Sequence, residues 1–307
     1  MKPFMGFVIL SHLGFDPLDR LITALNRTYD EPPIVIHHDF SQSDGDVRRF
    51  NGNVLFVRPS LRTKWCDISV VHAALSALSL LYQKNDPEWF TLLSGTDYPI
   101  MPGKKVAKEL REGAFDLYMD YHLAERYPTP LPVAKSRMGS SEPEWRRKAY
   151  DRYIAKTIMY PPLIVKEEAR RPFLIRSDML LRWFLPYSPT WKCYAGDHWF
   201  TGNRKVTGIL LSETNNNKKT LKHLRHRFAP EESFYQTVLA NRTDIRISLD
   251  NKRYTDWAGQ DAHPKLLELT DLPSMLESRC YFARKFATGR PSRILDELDR
   301  VIINNRQ

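Results

Sequence analysis

The chain has no apolar run that could cross a bilayer. Runs such as Phe7 to Leu10 fall far short of the about 20 apolar residues a spanning helix needs. Met1 to Leu10 carries one Lys and then passes straight into Ser11 and His12, with no small-residue cleavage site, so it reads as a first strand and not as a signal peptide. Cysteine is scarce: there are 3 in 307 residues, and Cys66, Cys193 and Cys280 are too far apart in sequence to suggest a metal site or a disulfide framework. That usage fits a reducing compartment, and a soluble cytoplasmic protein is the expectation. On that expectation the sequons Asn26-Arg27-Thr28 and Asn241-Arg242-Thr243 carry no meaning.

The nucleotide motifs built on glycine are missing as well. No Gly-x-Gly-x-x-Gly follows the first strand, and there is no Walker loop and no His-Glu-x-x-His. The only Asp-x-Asp, the usual mark of a metal-dependent sugar transferase, is Asp44-Gly45-Asp46. It lies early in the chain, within the polar stretch Ser41 to Arg49, and reads as a solvated turn. No internal repeat and no low-complexity tract appears.

What is present is an ordinary globular composition, 42% hydrophobic, with a net charge of +10. The charge allows an anionic partner: a nucleotide sugar, a polyanionic acceptor, a nucleic acid or a membrane surface. The first third alternates strand and helix. Gly6 to Ser11, Ile34 to Ile36, Val54 to Val57 and Phe90 to Leu93 read as buried strands. Pro17 to Asn26 and Ser69 to Gln83 read as helices, the second with Ser69 as N-cap and Val70, Ala73, Ala74, Ala77, Leu78 and Leu81 as its stripe. This order predicts an α/β fold, Rossmann-like, with a mostly parallel sheet flanked by helices. Ligands then bind beyond the carboxyl ends of the strands, where His37 to Asp39 and Ser94 to Asp97 fall. The polar, proline-bearing middle, Tyr121 to Arg171, reads as loops and helices of an acceptor surface. It contains the basic-aromatic stretch Trp145 to Tyr150. A final helix is expected over about Ser292 to Ile303. Nothing forces a domain boundary. One two-lobed domain is expected over 1–307, with a nucleotide-binding half over about 1–120 and an acceptor and catalytic half over about 121–307.

Three segments carry chemistry. Pro230-Glu231-Glu232 opens a predicted helix, where Pro suits the first position and acids suit the first turn. Either glutamate could simply complement the helix dipole; one of them could also take a hydroxyl proton as general base. Phe282-Ala283-Arg284-Lys285-Phe286 frames two cations with aromatics, which suits a departing diphosphate in the absence of a metal and equally suits a solvated edge strand. Lys218 to Arg227 is the densest basic run, either a solvated helix face or a surface for an anionic substrate.

Taken in order, the segments resemble the core-2/I-branching N-acetylglucosaminyltransferase family, which includes peptide xylosyltransferases. Phe7 to His12 resembles its opening strand, and Ile34 to Asp39 its "VHVD" strand end. Trp65 and Ser69 resemble the start of its next helix. Leu92 to Ile100 resembles "LSGxDYPI", Gly196 to Phe200 "GSxWF", and Pro230 to Glu232 "PDE". Arg253 to Trp257, His263-Pro264 and Phe282 to Phe286 resemble the closing "RYxDW…HP…FARKF" of bacterial and plant members. The resemblance implies a GT-A-like fold and an inverting transfer from a UDP-sugar without metal or other cofactor. The leading donors are UDP-N-acetylglucosamine and UDP-xylose, and the acceptor is a glycan or glycoconjugate. It assigns the base to Glu232 and the diphosphate to Lys285, helped by Arg284 and by Arg253 or His263. It places uridine near His37, Asp39 and Trp65, and the acceptor near Arg146, Arg147, Asp97 and Trp199. The many cysteines of the animal enzymes are missing, and a chain without their membrane anchor is the expectation. The competing readings are a basic nucleic-acid or polyanion-binding module built on Lys218 to Arg227, and a sugar transferase acting on modified DNA.

Overall fold

The computed structural model describes residues 2–125, 142–155, 157–159, 174–176, 185–258, 263–287 and 292–304. Most of the expected acceptor surface between Tyr121 and Arg171 lies outside them.

In chain order the first half contains β1 (Met5–Ser11), α1 (Phe15–Tyr29), β2 (Ile34–His38), β3 (Val54–Phe56), α2 (Ile68–Lys84), β4 (Trp89–Ser94), β5 (Tyr98–Pro99), α3 (Gly103–Glu112), β6 (Leu117–Tyr118), β7 (His122–Leu123) and α4 (Glu142–Tyr153). There follow β8 (Thr157–Met159), β9 (Leu174–Arg176), β10 (Tyr194–Ala195), β11 (Thr201–Asn203), α5 (Arg204–Asn216), α6 (Lys218–Leu224), α7 (Phe234–Ala240), β12 (Ile247–Ser248), β13 (Arg253–Thr255), α8 (Leu272–Glu277), β14 (Phe282–Arg284) and α9 (Arg293–Asn304).

The main sheet runs β12-β6-β11-β4-β1-β2-β3. β4, β1, β2 and β3 are mutually parallel, and β11 is antiparallel to both β4 and β6. This is the α/β, Rossmann-like architecture expected. The period of 2 in β1 distributes the core between the two faces. Phe7 and Ile9 join Leu18, Leu21 and Leu25 of α1 and Leu298 of α9 on one side. Val8 joins Val71, Ala74 and Leu78 of α2 and Val238 of α7 on the other.

Both early helices are longer than the apolar periodicity alone marked. The N-cap of α2 is Asp67, whose carboxylate accepts from the Ser69 backbone N–H at 2.9 Å; Ser69, expected in that role, instead accepts the Lys64 backbone N–H with its hydroxyl. An ionised oxygen two residues upstream is the better partner for the first free amides. Pro230 to Glu232 forms a separate 3₁₀ turn before α7, so the helix does not open on Pro230. Asp44-Gly45-Asp46 lies on the surface, where Asp46 caps a short 3₁₀ turn and pairs with Arg48.

A second sheet, β13-β14-β5, fixes the site's charged residues. β14 is parallel to β13 and antiparallel to β5, with Phe282 opposite Pro99 and Ala283 opposite Tyr98. That register brings Arg284, at the end of β14, to Asp97, just before β5.

Candidate active site

The carboxyl ends of β1, β2 and β4 open into a cleft of about 780 Å³, which is closed on its other sides by α4, the 228–232 turn and the segments around Trp257 and Lys285. This is where an open parallel sheet places its ligands.

One wall is acidic. Glu232 lines the cleft, and its Oε2 accepts from Arg152 Nη1 at 2.7 Å. Burial pushes its carboxyl up to about 7, against the pull of Arg152. The turn is fixed from three sides. The Tyr153 hydroxyl donates to the Ala229 carbonyl at 2.7 Å, and the Ala229 N–H donates to the Cys66 carbonyl at 3.2 Å. The Gly196 N–H donates to the Glu232 carbonyl at 2.8 Å. Gly196 has to be glycine, since a Cβ there would sit 2.0 Å from the Asp120 carbonyl oxygen. On an α-helix Glu231 would point away from its neighbour Glu232. In the 3₁₀ turn it lines the cleft too, buried at 7% exposure, with Oε2 lacking a hydrogen-bond partner among the described residues. Burial, then the Glu232 charge, pushes it up to about 8.

The other wall is cationic. Arg284 lines the cleft with its guanidinium 4.7 Å from the Trp199 ring centre, and its Nε donates to Asp97 Oδ1 at 3.1 Å. Lys285 also lines the cleft, with no carboxylate within ion-pair distance among the described residues. His263 stands exposed at the mouth, its ring 5.3 Å from that of Trp65. Its pKa is lowered by burial and by the nearby Lys285 and Arg284 charges. His12 lines the cleft in the same field and is lowered by burial and by Lys285.

Of the expected nucleotide contacts, His37 and Trp65 line the cleft. His37 accepts the Leu61 N–H through Nε2 at 3.0 Å, and burial lowers its pKa, leaving a neutral ring. Asp39 does not face the cleft. Its oxygens accept from Ser41, from Gln42 and from both the amide and hydroxyl of Thr63. Burial opposes ionisation, yet these bonds hold the carboxyl well below the usual range. Asp39 therefore shapes the 61–64 loop.

Two further expectations need correction. Asp97 is 2% exposed and cannot meet an acceptor; its carboxylate supports Arg284 and lies 3.7 Å from Arg253 Nη1. Arg253 is itself 3% exposed and is absent from the cleft wall, donating to the Leu92 carbonyl at 3.0 Å behind it. A guanidinium with its field spent on Asp97 and on a strand end does not reach a diphosphate. Trp199 lines the cleft beneath Arg284. Arg146 and Arg147 lie on α4, and their side chains are outside the described residues.

The sequence reading missed Arg152, Asp197, His198 and Phe228, all in the cleft. Arg152 follows Lys148 by one helical turn, so the i, i+4 spacing on a predicted helix was an available signal. Asp197 and His198 sit in a segment whose motif was seen but whose side chains were not assigned. Burial pushes Asp197 up to about 6 and takes His198 down to about 3.

Glu232 thus lines the same cleft as Arg284 and Lys285, at the carboxyl ends of parallel strands. Known proteins similar to this chain are as follows. The family model Core-2/I-Branching enzyme matches residues 138–276. Beta-glucuronosyltransferase GlcAT14A of Arabidopsis thaliana is 24% identical over 295 residues, covering 94% of this chain and 59% of the relative. Beta-glucuronosyltransferase GlcAT14B of the same plant is 22% identical over 294 residues, covering 94% and 61%. The chain is thus similar to core-2/I-branching enzymes over residues 138–276, in line with the resemblance its motifs carry. It spans about three fifths of the length of the curated relatives it matches. Among solved structures, 4-diphosphocytidyl-2C-methyl-D-erythritol synthase of Anaerococcus prevotii aligns over 90% of this chain and 98% of its own, with 11% identity and a TM-score of 0.35.

Proposed function

We propose that the chain is an inverting glycosyltransferase that moves a sugar from a UDP-sugar to a hydroxyl of a glycan or glycoconjugate, without a metal, with Glu232 as general base. The observation that carries this is the meeting of Glu232 with Arg284 and Lys285 in one cleft. Glu232 takes the proton from the acceptor hydroxyl. The freed oxygen attacks the anomeric carbon from the face opposite the diphosphate, the bond from that carbon to the diphosphate oxygen breaks, and UDP leaves with the electron pair. Arg284 and Lys285 face the negative charge that grows on it. Asp97 acts through Arg284, holding its guanidinium in place. A base with a pKa near 7 is matched to this task, because it is substantially ionised at neutral pH yet still basic enough to accept a proton.

N-acetylglucosamine and xylose are the donor sugars first proposed. The printed names of the plant relatives add glucuronic acid as a second reading. The test is turnover of UDP-N-acetylglucosamine, UDP-xylose and UDP-glucuronic acid in excess EDTA, by transfer and by slow hydrolysis. Turnover of at least one donor in EDTA supports the proposal. Activity that disappears with EDTA and returns with manganese refutes its metal-independent form.

A further inference from the structure

α6 has three distinct faces. Thr220 and Leu224 are buried. His223 and Arg227 turn toward α4, His223 Nε2 lying 2.6 Å from the Tyr153 carbonyl and Arg227 Nη1 donating to the Ala155 carbonyl at 3.1 Å. The remaining face is open. Lys218, Lys222 and Arg225, spaced i, i+4 and i+7, are exposed in one stripe, and exposed Lys219 and His226 flank it. No acidic residue occurs between Glu213 and Glu231 to break up that charge.

From the end of the stripe the chain reaches the cleft within three residues, at Phe228. Phe228, two residues beyond His226, is 52% exposed and lines the cleft mouth. Its ring lies 5.3 Å from the Arg152 guanidinium, and Arg152 holds Glu232. On its other side Phe228 packs edge-on against Trp65 at 5.5 Å, and Trp65 in turn contacts His263. Phe228 therefore stands at the cleft mouth between Arg152 and Trp65. An exposed aromatic ring beside a proton acceptor, at the end of a cationic track, is a costly surface to leave to water. The apolar face of a pyranose ring fits it.

We propose that α6 and Phe228 form a docking track for a negatively charged acceptor glycan, whose acidic groups lie along Lys218, Lys222 and Arg225 and whose terminal sugar packs on Phe228 and presents its hydroxyl to Glu232. This rests on the transferase reading of the cleft and adds the acceptor's chemical class. A single narrow stripe of about 10 Å on a two-turn helix, ending at a cleft, suits one extended chain better than a duplex.

The experiment measures binding of an oligogalacturonate, of its carboxyl-reduced neutral counterpart and of duplex DNA, with UDP binding measured in parallel. The wild type should bind the uronate chain in a salt-sensitive way and the neutral chain at least about tenfold more weakly. The double variant K222E/R225E should lose at least about tenfold in uronate affinity while UDP affinity stays unchanged, since neither side chain lines the cleft. Phe228→Ala should weaken both oligosaccharides, and more so the neutral one in relative terms. Equal binding of the charged and neutral chains, no loss in the double variant, or DNA bound at least as tightly as the uronate would each overturn the proposal. If uronate binds as described but UDP does not, the docking track stands and the nucleotide-sugar reading falls. If UDP binds and the uronate does not, the reverse holds.

Discussion

The two walls of the cleft are built on the same plan with opposite signs, and they differ in burial. Each has one charge held by a buried or half-buried partner, Glu232 by Arg152 and Arg284 by Asp97. Each has a second charge of the same sign beside it, Glu231 and Lys285. Lys285 sits half-buried at the open cleft, where water can solvate an ammonium until a ligand arrives. Glu231 is nearly enclosed, where an unpaired carboxylate is expensive and neutrality is the stable state. The cationic wall can thus present two charges to a dianionic group, and on the proposed function the acidic wall offers one base. That asymmetry suits the proposed transfer: a single proton acceptor facing a leaving group that carries several charges.

The largest expected effect comes from removing the base. Glu232→Gln should lower transfer by about 10²–10⁴ in kcat while leaving UDP affinity unchanged, because the amide cannot accept the hydroxyl proton. Glu231→Gln should leave most of the activity. Steady-state kinetics on the pair decides the assignment, and the opposite ranking would move the base by one residue.

Arg152 sharpens the comparison. The wild type should gain kcat/KM as pH rises through about 7, where the half-buried Glu232 loses its proton. Arg152→Met removes the cation that favours ionisation, so the rising limb should move up by at least about one pH unit. A pH profile that keeps its limb in place would mean that Glu232 does not set it.

Glu231 gives a smaller effect, on stability. Its folded pKa of about 8 lies above its ordinary 4.5, so the native state keeps a proton that the unfolded chain releases. Stability that this residue supports at low pH is therefore lost as pH rises from about 4.5 to about 8. Glu231→Gln should remove that part of the slope and stabilise the protein at pH 9 by on the order of 1–3 kcal/mol, read by denaturant unfolding across pH. An unchanged slope would place the carboxyl in a more solvated setting.

Some of this was legible in the sequence. The alternation of strands and helices gave the parallel sheet, because hydrophobic periodicity reports burial directly. The order of short motifs pointed to Glu232, Lys285 and Arg284, and all three line one cleft. Asp97 and Arg253 were misread for a common reason. A charged residue at a strand end looks the same in sequence whether it faces a ligand or an opposite charge distant in the chain, and these two lie 3.7 Å apart. Asp39 was misread because its oxygens are taken up by nearer partners, Ser41, Gln42 and Thr63. Both glutamates reach the cleft because their segment is a 3₁₀ turn; on the helix expected from Pro230, neighbours would diverge. Arg152 was missed because its partner, Glu232, is 80 residues away.

The most direct test of the central claim, that the cationic wall receives a diphosphate without a metal, is calorimetric binding of UDP and of uridine in excess EDTA to the wild type and to Lys285→Ala. The account predicts that UDP binds the wild type in EDTA, and that the substitution weakens UDP by about 10–100-fold, the worth of a charge-assisted contact, with uridine affinity unchanged. Equal losses for the two ligands, or UDP binding that requires a divalent metal, would contradict it.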